Sequence, residues 1–219
     1  MREVRVYAPG SIGNVGPGLD ILGLAVRGAG DTVTATLTSG RRIEVLDSGH
    51  PALSTNARQH ASALAARAVL ALAGERGIGI ALRVAKGLPL SGGQGGSAAS
   101  AVAGAVASNL LLGSPLGTDG LLRAALASET VLAGRHLDNI APSLLGGLIL
   151  IPRMSPIEVV RLPTPAKLHL VLAKPSYDLR TKRGRAALPT VVTREIALHQ
   201  AAQVAAIVAA AGANDVALF

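Results

Sequence analysis

The 219-residue chain contains no cysteine, which removes disulfide frameworks and thiolate zinc sites and leaves nothing that points to an oxidising compartment. A cytoplasmic location is therefore expected. Aromatic residues are nearly as scarce: no Trp, 2 Tyr and 1 Phe cannot build the stacking platforms that hold single-stranded nucleic acid. Charged residues make up only 16%, and with 49% hydrophobic residues the composition is that of a packed protein rather than a solvated tail. The amino terminus has no apolar h-region, so no signal peptide is indicated. Residues 87–118 hold no charge, yet Gly, Ser, Pro, Gln and Ala dominate that stretch and leave too few large apolar side chains for a hydrocarbon core. Neither a membrane nor nucleic acid is an expected partner.

What the chain does carry is a basic excess, net +8, which suits phosphorylated ligands as well as polyanions. The basic residues are scattered. Their densest cluster, Arg180, Lys182, Arg183 and Arg185, reads equally as a solvated turn or as an anion site.

Alternating polar and apolar residues predict strands over Arg2–Ala8, Thr32–Thr38, Arg41–Leu46 and Ile78–Ala85, with a glycine-rich loop, Gly10–Gly23, between the first two. Ala and Leu at helical spacing predict helices over Gln59–Ala73, Ser97–Leu112 and Asp119–Ala133. A short buried strand is expected at Leu148–Ile151. Pro152, Pro156, Pro163 and Pro165 then punctuate the chain, bracketing one strand at Ile157–Leu162 and placing a domain boundary near residue 152. Beyond it a strand at Lys167–Ala173 and a long helix at Val191–Ala211 are expected. Strands and helices mixed without regular βαβ alternation give an α+β class.

Three segments could carry chemistry. In Pro89–Ser100, PLSGGQGGSAAS, glycines free the backbone to turn several N–H groups toward one point, and the helix start that follows adds unpaired donors and a positive dipole end. A tight structural turn is the other reading of this loop. Gly10–Gly23 places Asn14 and Asp20 in an otherwise small-residue turn, where such a pair could hold an amine or hydroxyl. Ser128–Gly147 gathers Glu129, Arg135, His136, Asp138 and Asn139 beside an apolar run, without the G-x-S-x-G elbow of a hydrolase.

Taken in order, APGSIGNVGPGLDILGLAV, GLPLSGGQGGSAAS and ETVLAGRHLDNIAPSLLGG resemble the three-motif pattern of the GHMP small-molecule kinases, and within them the homoserine branch. The resemblance spans residues 4 to about 190. It implies a GHMP kinase fold: a ribosomal S5 domain 2-like amino-terminal domain over residues 1–152, which binds ATP, and an incomplete ferredoxin-like carboxy-terminal domain over residues 153–219. The chain stops before the family's third glycine-rich motif.

By resemblance, Leu90, Ser91, Gly92, Gly93, Gln94, Gly95, Gly96, Ser97, Ala98, Ala99 and Ser100 wrap the ATP phosphates, and Ser97 and Glu129 bind Mg²⁺. Asn14, Asp20, His136 and Asn139 match family positions around the amino acid, and Arg185 matches one that pairs with its carboxylate. Asn139, Glu129 and Ser97 stand nearest the chemistry, which is transfer of the γ-phosphoryl group to the side-chain hydroxyl of L-homoserine, on the route to threonine, without a dedicated protein base. The resemblance also implies a homodimer. Gln94 and Gly96 stand where the family usually has Leu and Ser, and His60 where an Asn often opens the adenine-side helix. Two other readings remain: an inactive truncated nucleotide-binding fragment, and a GHMP kinase for another small alcohol such as a mevalonate-type substrate.

Overall fold

A computed structural model describes residues 2–173 and 181–219. In chain order its elements are β1 (Glu3–Gly13), β2 (Leu22–Thr38), β3 (Ile43–Asp47), α1 (Ala61–Leu72), β4 (Gly79–Ala85), α2 (Gly96–Leu111), α3 (Thr118–Leu132), α4 (Ile140–Leu145), β5 (Leu148–Met154), β6 (Ile157–Leu162), α5 (Thr181–Ala186) and α6 (Arg194–Ala213). The six strands form one sheet in the order β3-β4-β2-β5-β6, with β1 paired to β2 off that path. All pairs are antiparallel except β3 with β4.

The long strand β2 organises the sheet. Its Thr32–Thr38 stretch pairs with β4 while Leu22–Leu24 pairs with β5, and β1 follows it from Glu3↔Thr36 to Gly13↔Gly23. Val33 and Ala35 point into the core at 0% exposure, alternating with Thr32, Thr34 and Thr36, which are only partly buried, as expected of a strand with one covered face. Helices α2, α4 and α1 provide the cover, and α3 packs on α1 and α2 behind it. Helix α2 is buried almost all round, from Ala98 to Leu111, because most of its residues are Ala, Gly or Ser and let neighbouring backbones come close.

The sequence reading of Gly10–Gly23 as one wide loop is too broad. β1 runs on to Gly13 and β2 begins at Leu22, leaving only residues 14–21 as the turn. Gly16, at φ +52°, serves the turn itself, whereas Gly13 serves close approach: a Cβ there would collide with the Asp138 and Asn139 side chains at the start of α4. The strand expected at Lys167–Ala173 does not form. Ala166 and Lys167 make a turn, Lys167 adopts φ 66°, and the Ala166 N–H donates to Asn214 Oδ1 at 2.6 Å, so this segment lies against no sheet edge. The short helix α4, which contains Pro142 in its first turn, carries no helical periodicity long enough to read.

The boundary expected at residue 152 falls inside β5, and β6 continues the same sheet. After β6 the chain returns to the site. Helix α6, capped by Thr193 Oγ1 accepting from the Ile196 N–H at 3.3 Å, seats Ile207, Ala210 and Ala211 in the interior. Ala211 packs with Leu24 and Leu148, and Gln200 Nε2 donates to Pro17 O at 2.6 Å, which ties α6 to the β1–β2 turn. By length and composition α6 could cross a membrane; in this fold it lies along the protein.

Candidate active site

A cavity of about 510 Å³ brings the three sequence segments together, with walls from the β1–β2 turn, the residue 89–97 loop, α3, the start of α4 and α5. A larger hollow of about 1010 Å³ lies elsewhere, between α1 and the β3–β4 edge, and is lined by Arg41, Arg42, Arg58, Arg67 and Arg76 with none of the motif residues. The smaller cavity holds the organised polar geometry.

The loop is built as its composition predicts. Gly95 caps α2 at φ +65°, a conformation costly for any residue with a side chain, and a Cβ there would meet Ser11 Oγ and Asn139 Oδ1. The first intrahelical bond runs from Ala99 N–H to Gly95 O at 2.8 Å, so the amides of Gly96, Ser97 and Ala98 fall ahead of it and remain available. Ser11 N–H donates to Gln94 O at 3.1 Å, fixing the loop to β1. Of the residues expected to wrap the phosphates, Leu90–Gly93, Gly95–Ser97 and Ser100 line the cavity, while Gln94 does not. Ala98 and Ala99 face inward, and the Ser100 hydroxyl donates to buried Asp31 at 2.6 Å.

Glu129 comes from α3 and is 7% exposed. Ser97 Oγ donates to Glu129 Oε1 at 3.4 Å, and Oε2 is buried with no partner. Burial pushes the Glu129 carboxyl above its ordinary range; the Ser97 bond opposes this, and nearby Asp138 adds to it. A buried carboxylate oxygen without a donor, beside a hydroxyl at a helix start, is a hard-oxygen pair that would suit a divalent cation. Among the described residues no group of three or more His, Cys, Asp or Glu forms a metal cage. A cation here would therefore take most of its ligands from phosphate and water.

The other end of the cavity is an ion-pair cluster. Arg185 donates to Asp20 through both terminal nitrogens, at 2.9 Å from Nη1 and more closely from Nη2, while His136 Nδ1 lies 3.2 Å from Asp20 Oδ1. The Arg185 bond holds the Asp20 carboxyl below its usual range against the raising effect of partial burial. Asn14 and Asp20 both adopt left-handed conformations, at φ 55° and 63°, and Asn14 Oδ1 accepts from the Asp20 N–H at 2.8 Å. Asn14 thus shapes the turn that presents Asp20. Arg185 Nε is buried without a partner. Arg180 lies outside the described residues.

Asn139 starts α4, and its Oδ1 accepts from Ser11 Oγ at 3.0 Å. Its neighbour Asp138, which the sequence placed in the polar cluster of Ser128–Gly147 without a role of its own, is 2% exposed on the cavity wall; burial first, and then Asp20, push its carboxyl up. Sequence reasoning passed over Ser11, Asp31 and Lys86. The signal available for Lys86 was its place as the last charge before the uncharged residues 87–118. His60 caps α1 and lines the cavity, with Nδ1 2.9 Å from Ser62 Oγ and Nε2 buried without a partner, and burial pushes the imidazole down.

Residues 63–147 match the family profile described as GHMP kinases N terminal domain. Homoserine kinase of Arabidopsis thaliana is 40% identical over 97% of this chain, and that of Chlorobium phaeovibrioides 36% identical over 100% of it. The crystal structure of homoserine kinase from Cytophaga hutchinsonii superposes with a TM-score of 0.88 at 34% identity, covering all of this chain. The chain spans 60%, 72% and 70% of the lengths of these three proteins respectively.

Proposed function

Because the chain belongs to the homoserine kinases of the GHMP kinase family, we propose that it transfers the γ-phosphoryl group of ATP to the side-chain hydroxyl of L-homoserine, giving O-phospho-L-homoserine. The observation that carries this reading is that a single cavity is walled both by the glycine-loop amides at the start of α2 and by the Arg185–His136 cluster around Asp20. One end suits a polyphosphate and the other a zwitterionic amino acid.

In this reading the amides of Gly95–Ala98 and the helix dipole receive the phosphates. Ser97 and Glu129 would hold Mg²⁺, which when bound neutralises charge on the phosphate oxygens. The amino-acid carboxylate takes the two terminal nitrogens of Arg185 as they leave Asp20, and its ammonium takes Asp20, so one internal ion pair is exchanged for two with the substrate. His136 and Asn139 position the hydroxyl. The Asn139 amide cannot accept a proton in this pH range, and its oxygen is already engaged by Ser11, so it orients rather than deprotonates. The hydroxyl oxygen forms a bond to the γ-phosphorus as the bond to the β-phosphate oxygen breaks, and the hydroxyl proton leaves to a phosphate oxygen or to water. Rate enhancement then rests on positioning and electrostatics.

The amino-terminal unit would supply the nucleotide site and the segment after it the carboxylate arginine, with the division best placed after β6. We further infer a cytoplasmic enzyme that pairs as a homodimer. The test is ADP release on a panel of L-homoserine, mevalonate and galactose. Turnover with homoserine alone is expected; turnover with mevalonate or galactose instead, or nucleotide binding with no turnover on any of them, would overturn the assignment.

A further inference from the structure

Asp31 sits in β2 at 0% exposure, and a buried carboxylate persists only where its oxygens are matched. All four of its acceptor positions are filled. Oδ1 accepts from Gly87 N–H at 3.2 Å and Leu88 N–H at 3.3 Å, and Oδ2 accepts from the Ser100 hydroxyl at 2.6 Å and from the Lys86 ammonium. Lys86, at 6% exposure, directs its three N–H bonds to Asp31, to Gly96 O at 3.0 Å and to Ser100 Oγ at 3.2 Å. Every donor and acceptor of the pair is used.

The partners are the two ends of the residue 89–95 loop. Gly87 and Leu88 lead into it, and Gly96 and Ser100 form the first turn of the helix that follows. A buried ion pair is a poor stabiliser against an apolar pair of the same size, and a cation at a helix start opposes the dipole, so bulk stability does not account for it. Direction does. With the Gly96 carbonyl held by the ammonium, the planar trans peptide turns the Ser97 N–H the opposite way, on the side where α2 leaves its amides unbonded. The ammonium also adds positive potential beneath that helix start, and Asp31 keeps the charge in place until an anion arrives.

We propose that Asp31 and Lys86 are a positioning pair for the nucleotide, fixing both ends of the loop so that its amides converge on the phosphates. This rests on the reading of the loop as the phosphate cradle. The test measures AMP-PNP·Mg²⁺ and L-homoserine affinities by calorimetry, with NMR of the Gly95–Ala98 amides. Asp31→Asn combined with Lys86→Met leaves no unpaired buried charge; it is expected to melt within a few degrees of the parent, to weaken AMP-PNP at least tenfold and to change homoserine affinity less than twofold. Lys86→Arg should restore most of the nucleotide affinity. A folded double variant that binds AMP-PNP as the parent does, or that loses both ligands equally, overturns the positioning role. Should the double variant not fold, Ser100→Ala decides: about threefold weaker AMP-PNP at unchanged homoserine affinity supports the proposal, and unchanged AMP-PNP affinity overturns it. If the parent protein binds AMP-PNP without shifting the Gly95–Ala98 amides, the cradle reading itself fails, and the proposal with it.

Discussion

Glu129 Oε2 is buried without a partner, while Oε1 receives only a long bond from Ser97, so the folded state holds this carboxyl in surroundings that favour its protonated form. A carboxyl raised in this way contributes stability that is complete below the ordinary Glu value of about 4.3 and is lost as pH rises through the raised value. Glu129→Gln keeps an acceptor for Ser97 and removes the charge. Thermal melts should therefore coincide with the parent near pH 4 and lie a few degrees higher at pH 8, while Mg²⁺-dependent nucleotide binding falls at least tenfold; a variant less stable at pH 8 would contradict the cause assigned here. Asp20 runs the other way. Its lowered carboxyl gives stability that is present above the ordinary Asp range and lost as pH falls through the lowered value, and it stays ionised at neutral pH to meet an ammonium. Losing a charge-assisted partner costs about 1.5–3 kcal/mol, so Asp20→Ala should raise the KM for homoserine by roughly ten- to a hundredfold with little change for ATP. Equal losses for both substrates would refute that placement.

At the scale of elements, most of the site is carried by α2, and its packing shows what a sequence can and cannot tell. The run Ser97–Leu112 reads as a helix because Ala recurs through it up to the stop at Gly113 and Pro115, and the structure places it at Gly96–Leu111. What no periodicity discloses is how close it comes to α1: a Cβ at Gly104 would lie 2.7 Å from Ser62 Cα, Cβ and O. Gly104→Ala thus sets two effects against each other. Helix propensity favours Ala by about 1 kcal/mol, whereas overpacking against a backbone that cannot swing aside costs about 1–3 kcal/mol. The clash should win, lowering the urea midpoint; an unchanged or higher midpoint would mean that α1 yields. The same blindness to partners explains the strand expected at Lys167–Ala173, which has the right residues but no neighbouring edge, and the long strands around Gly10–Gly23, where glycines that look like turn signals instead let β1 and β2 pass beneath α4. Asp138 was visible as a letter beside His136 and Asn139; its inward aim depends on a short helix that the sequence does not announce.

Across the whole molecule, the net charge of +8 offers two places for an anion, and they differ in kind. The hollow between α1 and the β3–β4 edge has the greater volume and five arginines, but all five side chains are exposed to solvent, where their attraction for a ligand is screened within about 8 Å at physiological salt. The glycine-loop cavity has fewer cations and relies on fixed amides, a helix dipole and a buried carboxylate, which salt screens much less because they are partly withdrawn from water. If the second is where the triphosphate sits, charge reversal in the first should leave binding there nearly untouched. Arg41→Glu combined with Arg67→Glu lowers the net charge of the molecule by four units and yet is expected to keep the Kd for AMP-PNP·Mg²⁺ within about twofold at 150 mM salt, with the thermal shift on adding nucleotide preserved. Bound at a hundred times its Kd, the analogue contributes about 2.7 kcal/mol to the folded state, enough to move the melting temperature by several degrees and so to be read in parent and variant alike. A tenfold loss in the charge-reversed protein would shift the nucleotide site to the arginine hollow and leave the loop as a structural turn.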